Sequence, residues 1–190
     1  MTTIVTILTE GYADWEVALL TATARGYYGA QTRFAAPGGR PVRSSGGLAV
    51  TPDLALEEVD VTSLDALLVC GGSIWRQAEA PDIGDLLRRA RAAGKVVGAI
   101  CDGTLAAAKA GLLDTIAHTG NGVGALDDSF YAGAAHYRDV PVAVAAGGVV
   151  TAPGTAPISF MAEVMGALGL ANDDLFVYLD MHAAEHRAVN

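Results

Sequence analysis

The chain is poor in cysteine, in basic residues and in long apolar runs, and each shortage closes off a class of protein. Two cysteines, Cys70 and Cys101, are too few for a disulfide scaffold or a zinc ribbon. Twelve basic residues stand against 21 acidic ones, a formal net charge of −9, so neither nucleic acid nor an anionic membrane is an expected partner. No stretch approaches ~18 uninterrupted apolar residues, and no membrane span is predicted. The opening Met1-Thr2-Thr3-Ile4-Val5-Thr6-Ile7-Leu8 has no basic n-region, and its apolar run is too short for a signal peptide. A soluble cytoplasmic protein is expected. Internal repeats, low-complexity tracts and linkers are also missing.

What is present suits a compact α/β chain. It has 190 residues, 52% of them hydrophobic, enough for one ordinary domain with a full core, expected to span 1–190. Glycine stands at 23, above the usual ~7%, which fits tight turns and close backbone approaches. Apolar β-branched runs alternate with helical patterns. Strands are expected at 3–8, 31–36, 64–70, 95–100, 141–145 and 148–152, and a small hairpin at 40–53 around Ser44-Ser45-Gly46-Gly47. Helices are expected at 14–25, 82–93, 102–111, 156–168 and about 174–187. In the first, Trp15, Leu19 and Ala22 give a face and Gly26 a stop. In the second, Ile83, Leu86, Leu87 and Ala90 face inward and Gly94 ends it. In the fourth, Pro157 lies in the first turn, and Ile158, Met161, Met165 and Leu168 share a face. Such alternation predicts a doubly wound, mostly parallel sheet with helices on both faces.

The strongest chemical feature is Ala99-Ile100-Cys101-Asp102-Gly103, a nucleophile between small residues at a strand-to-helix junction. A sharp turn there exposes the side chain to a cleft, and a helix N-terminus favours thiolate, so a lowered thiol pKa is expected at Cys101. The plain alternative is a buried structural cysteine. Cys70-Gly71-Gly72-Ser73 ends another strand, and the amides of Gly71 and Gly72 can approach a developing oxyanion; a simple turn is the alternative. Glu16 opens the helix after the first strand, where an exposed acid is also favoured by the dipole. His118 follows a further short apolar stretch. Taken together, Glu16, Gly71, Gly72, Cys101 and His118 all follow expected strands, and the carboxyl ends of such strands share one crevice.

Two other patterns carry less. His182-Ala183-Ala184-Glu185-His186 has the spacing of inverted zinc proteases, but only four residues follow and no third ligand is in sight. Gly120-Asn121-Gly122-Val123-Gly124 is rich in glycine without the dinucleotide-binding spacing. No metal and no cofactor is expected.

At this point the chain resembles the ThiJ/PfpI superfamily, the class I glutamine amidotransferase-like group that includes the Parkinson's-disease protein deglycase. The resemblance rests on Asp14-Trp15-Glu16, the Gly71-Gly72 pair, AICDGTLAAAKAGLLD at 99–114, His118, and the late stretch Val149 to Pro157. It implies a flavodoxin-like sandwich, usually dimeric. It implies Cys101 as nucleophile with Glu16 hydrogen-bonded to it, oxyanion donors near Gly72 and Asp102, and His118 as a more distant active-site residue. One position departs from the pattern: protease-like members carry His directly after the cysteine, where this chain has Asp102. The resemblance implies a cysteine-dependent enzyme acting on a small electrophile, by glyoxalase, deglycase, amidase or isonitrile-hydrating chemistry. The alternative is a redox or stress sensor that uses the same thiol without turnover.

Overall fold

The computed structural model describes residues 1–127 and 130–188, and side chains through 184. In chain order the described residues form β1 (Thr3–Ile7), α1 (Asp14–Tyr28), β2 (Gln31–Ala36), β3 (Val42–Arg43), β4 (Ala49–Val50), β5 (Leu54–Ala55), β6 (Ala66–Val69), α2 (Gly84–Ala92), β7 (Val96–Ile100), α3 (Thr104–Lys109), β8 (Val144–Ala146), β9 (Val149–Ala152), α4 (Pro157–Ala167) and α5 (Asp173–Ala188). Seven strands make one flavodoxin-like sheet in the order β5-β2-β1-β6-β7-β9-β8. Every ladder in it is parallel except that of β8 with β9. The hairpin expected at 40–53 is the antiparallel pair β3–β4.

The central strands explain their own sequences. Every residue of β6 and β7 is buried, so both read as continuous apolar runs rather than alternating ones. Alternate side chains serve opposite faces. Val5, Ile7, Leu67 and Val69 join a core with Leu86 and Leu87 of α2 and Leu105 of α3. Ile4, Leu68 and Ile100 join the opposite core with Leu20 of α1 and Phe160 of α4. Each face is thus closed by helices, and the functional side chains are left to the strand ends.

Most elements lie close to their expected limits, and the differences have local causes. α1 passes through Gly26 and stops at Gly29, which adopts φ 63° and donates its amide to the Ala24 carbonyl. Its buried stripe is Glu16, Val17, Leu20, Thr23 and Ala24, whereas Trp15 and Ala22 are exposed. The inward carboxyl of Glu16 disguises that face, because a buried acid reads as a polar position. The helix expected at 102–111 is a 3-10 turn over Cys101–Gly103 followed by the six-residue α3. The strand expected at 141–145 lies later, at β8, and β5 was not foreseen.

Candidate active site

The chain leaves β1 toward β2 and β5 on one side, then returns to build β6, β7 and β9 on the other. A crevice therefore opens at the carboxyl ends of β1 and β6. Glu16 enters it from the first turn of α1, Gly71 from the end of β6, Cys101 from the end of β7 and Gly154 from the end of β9. Cys101 has φ 57°, the one positive φ at a non-glycine position among the described residues. That left-handed conformation is costly for a residue with a Cβ, and it turns the thiol out of the strand direction. Two glycines make room for it. A Cβ at Gly154 would lie 2.8 Å from Cys101 Sγ and 3.1 Å from Glu16 Oε1, and one at Gly71 would collide with the Glu16 carboxyl and lie 2.6 Å from Cys101 Cβ.

Glu16 has no exposed surface. Its Oε2 accepts from the Gly71 amide at 2.7 Å and lies 3.8 Å from the Cys70 sulfur. Its Oε1 is buried without a hydrogen-bond partner among the described residues. Burial raises Glu16 to about 7, against the opposing pull of Cys101 and the Gly71 amide. Burial likewise raises Cys101, to about 11, and the neighbouring Glu16 charge adds to it, while the Asn121 side chain and the Asp102 amide pull the other way. Two anions this close oppose each other, so one proton is shared between thiol and carboxyl over the neutral range. This corrects the expectation of a lowered thiol pKa. The six residues of α3 give a short dipole, and it does not offset the desolvation of sulfur.

Asn121 was not singled out from the sequence, and it touches the Cys101 sulfur. Its Nδ2 donates to Cys101 Sγ at 3.2 Å and to Asp102 Oδ1 at 3.0 Å, while its Oδ1 accepts from the Gly154 amide at 3.0 Å. The Gly154 bond fixes which end of the amide faces sulfur. Asp102 is held in turn by Arg76, whose Nε and terminal nitrogen bond both carboxylate oxygens at 2.9 and 2.7 Å. The flanking Gly120 and Gly122 were the available signal, since an Asn between glycines marks an irregular loop able to approach a strand end.

Other expected site residues sit differently. The Gly71 amide, expected as an oxyanion donor, is committed to Glu16. His118 does not follow a strand of the sheet; it forms an isolated bridge with Tyr137. Its Nδ1 lies 2.8 Å from the Ile116 carbonyl and must donate there, which leaves Nε2 to accept from the Tyr131 hydroxyl at 2.6 Å. Burial lowers its pKa, so the ring is neutral, and both nitrogens are taken. Among the described residues no hydrogen bond joins it to Cys101.

An open cleft of about 810 Å³ lies over Cys101 and Asn121. Among the described residues no group of three or more His, Cys, Asp or Glu is placed to hold a metal ion, and no helix is long and apolar enough to cross a membrane. The His182–His186 pattern lies on α5, with the side chains of Glu185 and His186 outside the described residues.

A sequence model of the DJ-1/PfpI family matches residues 2–167. The chain is similar to the solved DJ-1 superfamily protein Atu0886 from Agrobacterium tumefaciens, with 44% identity and a TM-score of 0.95 over 98% of this chain and 100% of that one. It is 32% identical over 139 residues, 70% of its length, to the Bacillus subtilis protein named "Uncharacterized protease YoaZ", and the match spans 64% of YoaZ. It is 36% identical over 76 residues, 40% of its length, to the Caenorhabditis elegans "Glutathione-independent glyoxalase DJR-1.2", and the match spans 41% of that protein. The chain thus covers less than two thirds of these two relatives.

Proposed function

We propose that this chain, which belongs to the DJ-1/PfpI family, is a cysteine-dependent enzyme that uses Cys101 to attack a small-molecule electrophile. The observation that carries the reading is a thiol on a left-handed turn, open to a cleft and backed by a buried carboxyl raised to about 7. A group with a pKa near the working pH is suited to passing a proton back and forth. As Cys101 Sγ bonds to the electrophilic carbon, the thiol proton passes to the Glu16 carboxylate. In a carbonyl substrate the π electrons of the C=O bond move onto oxygen. The amides of Gly72 and Asp102 are the proposed donors to that anion, and Glu16 then passes the proton on to it, so that S–H has added across the bond. Asn121 steadies sulfur while it carries negative charge. His118, with its nitrogens bonded elsewhere, is proposed as a support for the loop that carries Asn121.

Glyoxalase-, deglycase- and amidase-like reactions begin with such an addition; in an isonitrile hydratase-like reaction sulfur adds to the terminal carbon, and that carbon takes the proton. Asp102 stands where protease-like members have His, and its two oxygens are held by Arg76, which speaks against a peptidase. The test is turnover of methylglyoxal, small amides and isonitriles, with Cys101→Ala as the control. Turnover lost in the variant supports the reading. No turnover on any of the three, with a stable sulfinate on Cys101, favours the redox-sensor reading instead. A cytoplasmic homodimer belongs to the same proposal, and light scattering showing a monomer at micromolar concentration contradicts it.

A further inference from the structure

The cleft over Cys101 has walls of a definite chemical kind. Trp15 from α1, Pro141 and Val142 ahead of β8, and Pro157 and Ile158 at the start of α4 give it apolar sides. Trp15 and Val142 are 55% and 49% exposed, so a ligand would cover apolar surface that now meets water. Among the described residues lining it there is no charged side chain. The polar atoms are mostly spent on one another. Trp15 Nε1 donates to the Gly154 carbonyl, Ser159 Oγ donates to the Ala156 carbonyl and accepts from the Ala143 amide, and Asn121 is bonded at both ends. The Arg76 guanidinium is turned to Asp102 and does not line the cleft.

We infer that this site takes an uncharged electrophile carrying an aliphatic or aromatic substituent, and disfavours carboxylate- and phosphate-bearing ones. An anion here would lose water with no cation among the described lining residues to replace it, in a chain of net charge −9. An apolar substituent gains about fourfold in binding for each CH₂ it buries. At about 810 Å³ the open cleft leaves room for a substituent beside the reacting carbon. The inference rests on Cys101 being the nucleophile, and it goes further by naming what sits beside the reacting carbon.

The test uses three alkylating reagents with one warhead: iodoacetamide, N-benzyl iodoacetamide and iodoacetate. Each forms a C–S bond at the same CH₂ as the C–I bond breaks and iodide leaves. Rates on the Cys101 peptide are read by mass spectrometry at high salt, which screens the overall charge, and are divided by the rates on N-acetylcysteine. The inference predicts that the benzyl reagent is favoured over iodoacetamide by at least roughly tenfold, the gain from burying two CH₂ equivalents, and that iodoacetate is the slowest. Val142→Asp is expected to bring the benzyl preference back toward the N-acetylcysteine value. Equal normalised rates, or a preference for iodoacetate, overturn the inference while leaving the nucleophile in place. Failure of Cys101 to react with all three overturns the nucleophile reading, and the inference with it.

Discussion

The ends of β6 and β7 lie side by side in parallel register, Val69 opposite Ala99, and each strand runs out onto a cysteine. Cys70 is 1% exposed, its thiol donates to the Ala13 carbonyl at 3.3 Å, and burial raises it well above an ordinary thiol. Cys101 stands one residue further along, on a left-handed turn, half-buried and facing an open cleft, with the Asn121 amide against its sulfur. Both thiols are raised by burial first and by the Glu16 charge as well. Cleft exposure and one directed amide separate them. The comparison teaches that access to the cleft at these strand ends is set by backbone direction rather than by strand position.

The comparison breaks most sharply at the sulfur itself. Cys101→Ser is expected to abolish turnover, and brief peroxide treatment should put oxygen on the Cys101 peptide. Cys70→Ala should keep activity within about tenfold, since its thiol stays protonated and inert. Modification of Cys70 ahead of Cys101 would reverse the assignment.

The carboxyl beneath both thiols gives the next largest effect. Glu16 is raised from 4.5 to about 7, so the folded chain keeps a proton over a range in which the unfolded chain has lost it. The stability from that proton is full below 4.5 and is lost as pH rises through about 7. Glu16→Gln does not titrate. Its stability relative to wild type should therefore rise by about 3 kcal/mol between acidic and mildly alkaline pH, as followed by urea unfolding. A stability difference that is the same at both ends of that range would rule this out.

Asn121 sharpens the contrast from the open side. Asn121→Ala removes the donor to Cys101 Sγ, and a hydrogen bond to a charged partner is worth enough to slow neutral-pH alkylation roughly tenfold. Cys70 labelling in unfolded chain serves as the reference and should not change. The smallest effect is expected from Arg76→Ala. The guanidinium is half exposed, so its ion pair with Asp102 contributes less than about 1 kcal/mol, and Cys101 should slow by no more than about threefold.

The sequence spoke clearly where one local pattern had one physical outcome. The buried runs of β6 and β7, the glycine after α2 and the small residues around Cys101 each constrained the chain within a few positions. It spoke less clearly where a position served the site rather than the core. Glu16 is polar by type and inward by placement, so the apolar pattern alone put the face of α1 at Trp15, Leu19 and Ala22. The Gly71 amide looked free until the Glu16 carboxyl was seen to occupy it. His118 and Asn121 lie three residues apart, and by residue type the histidine is the more usual proton carrier. Yet Tyr131 and the Ile116 carbonyl hold the histidine, while the amide is the group that reaches sulfur. Those contacts join residues far apart in sequence, across loops without periodicity, and no spacing rule encodes them.

The central claim is that Cys101 reacts and that Glu16 shares its proton. The most direct measurement is the rate of Cys101 alkylation by iodoacetamide across pH, read on the Cys101 peptide in wild type and in Glu16→Gln. The account predicts that the wild-type rate climbs to a plateau through an inflection at about 7, where Glu16 gives up its proton, and that this inflection is missing in Glu16→Gln. The same profile in both proteins, or label found on Cys70 instead, would contradict it.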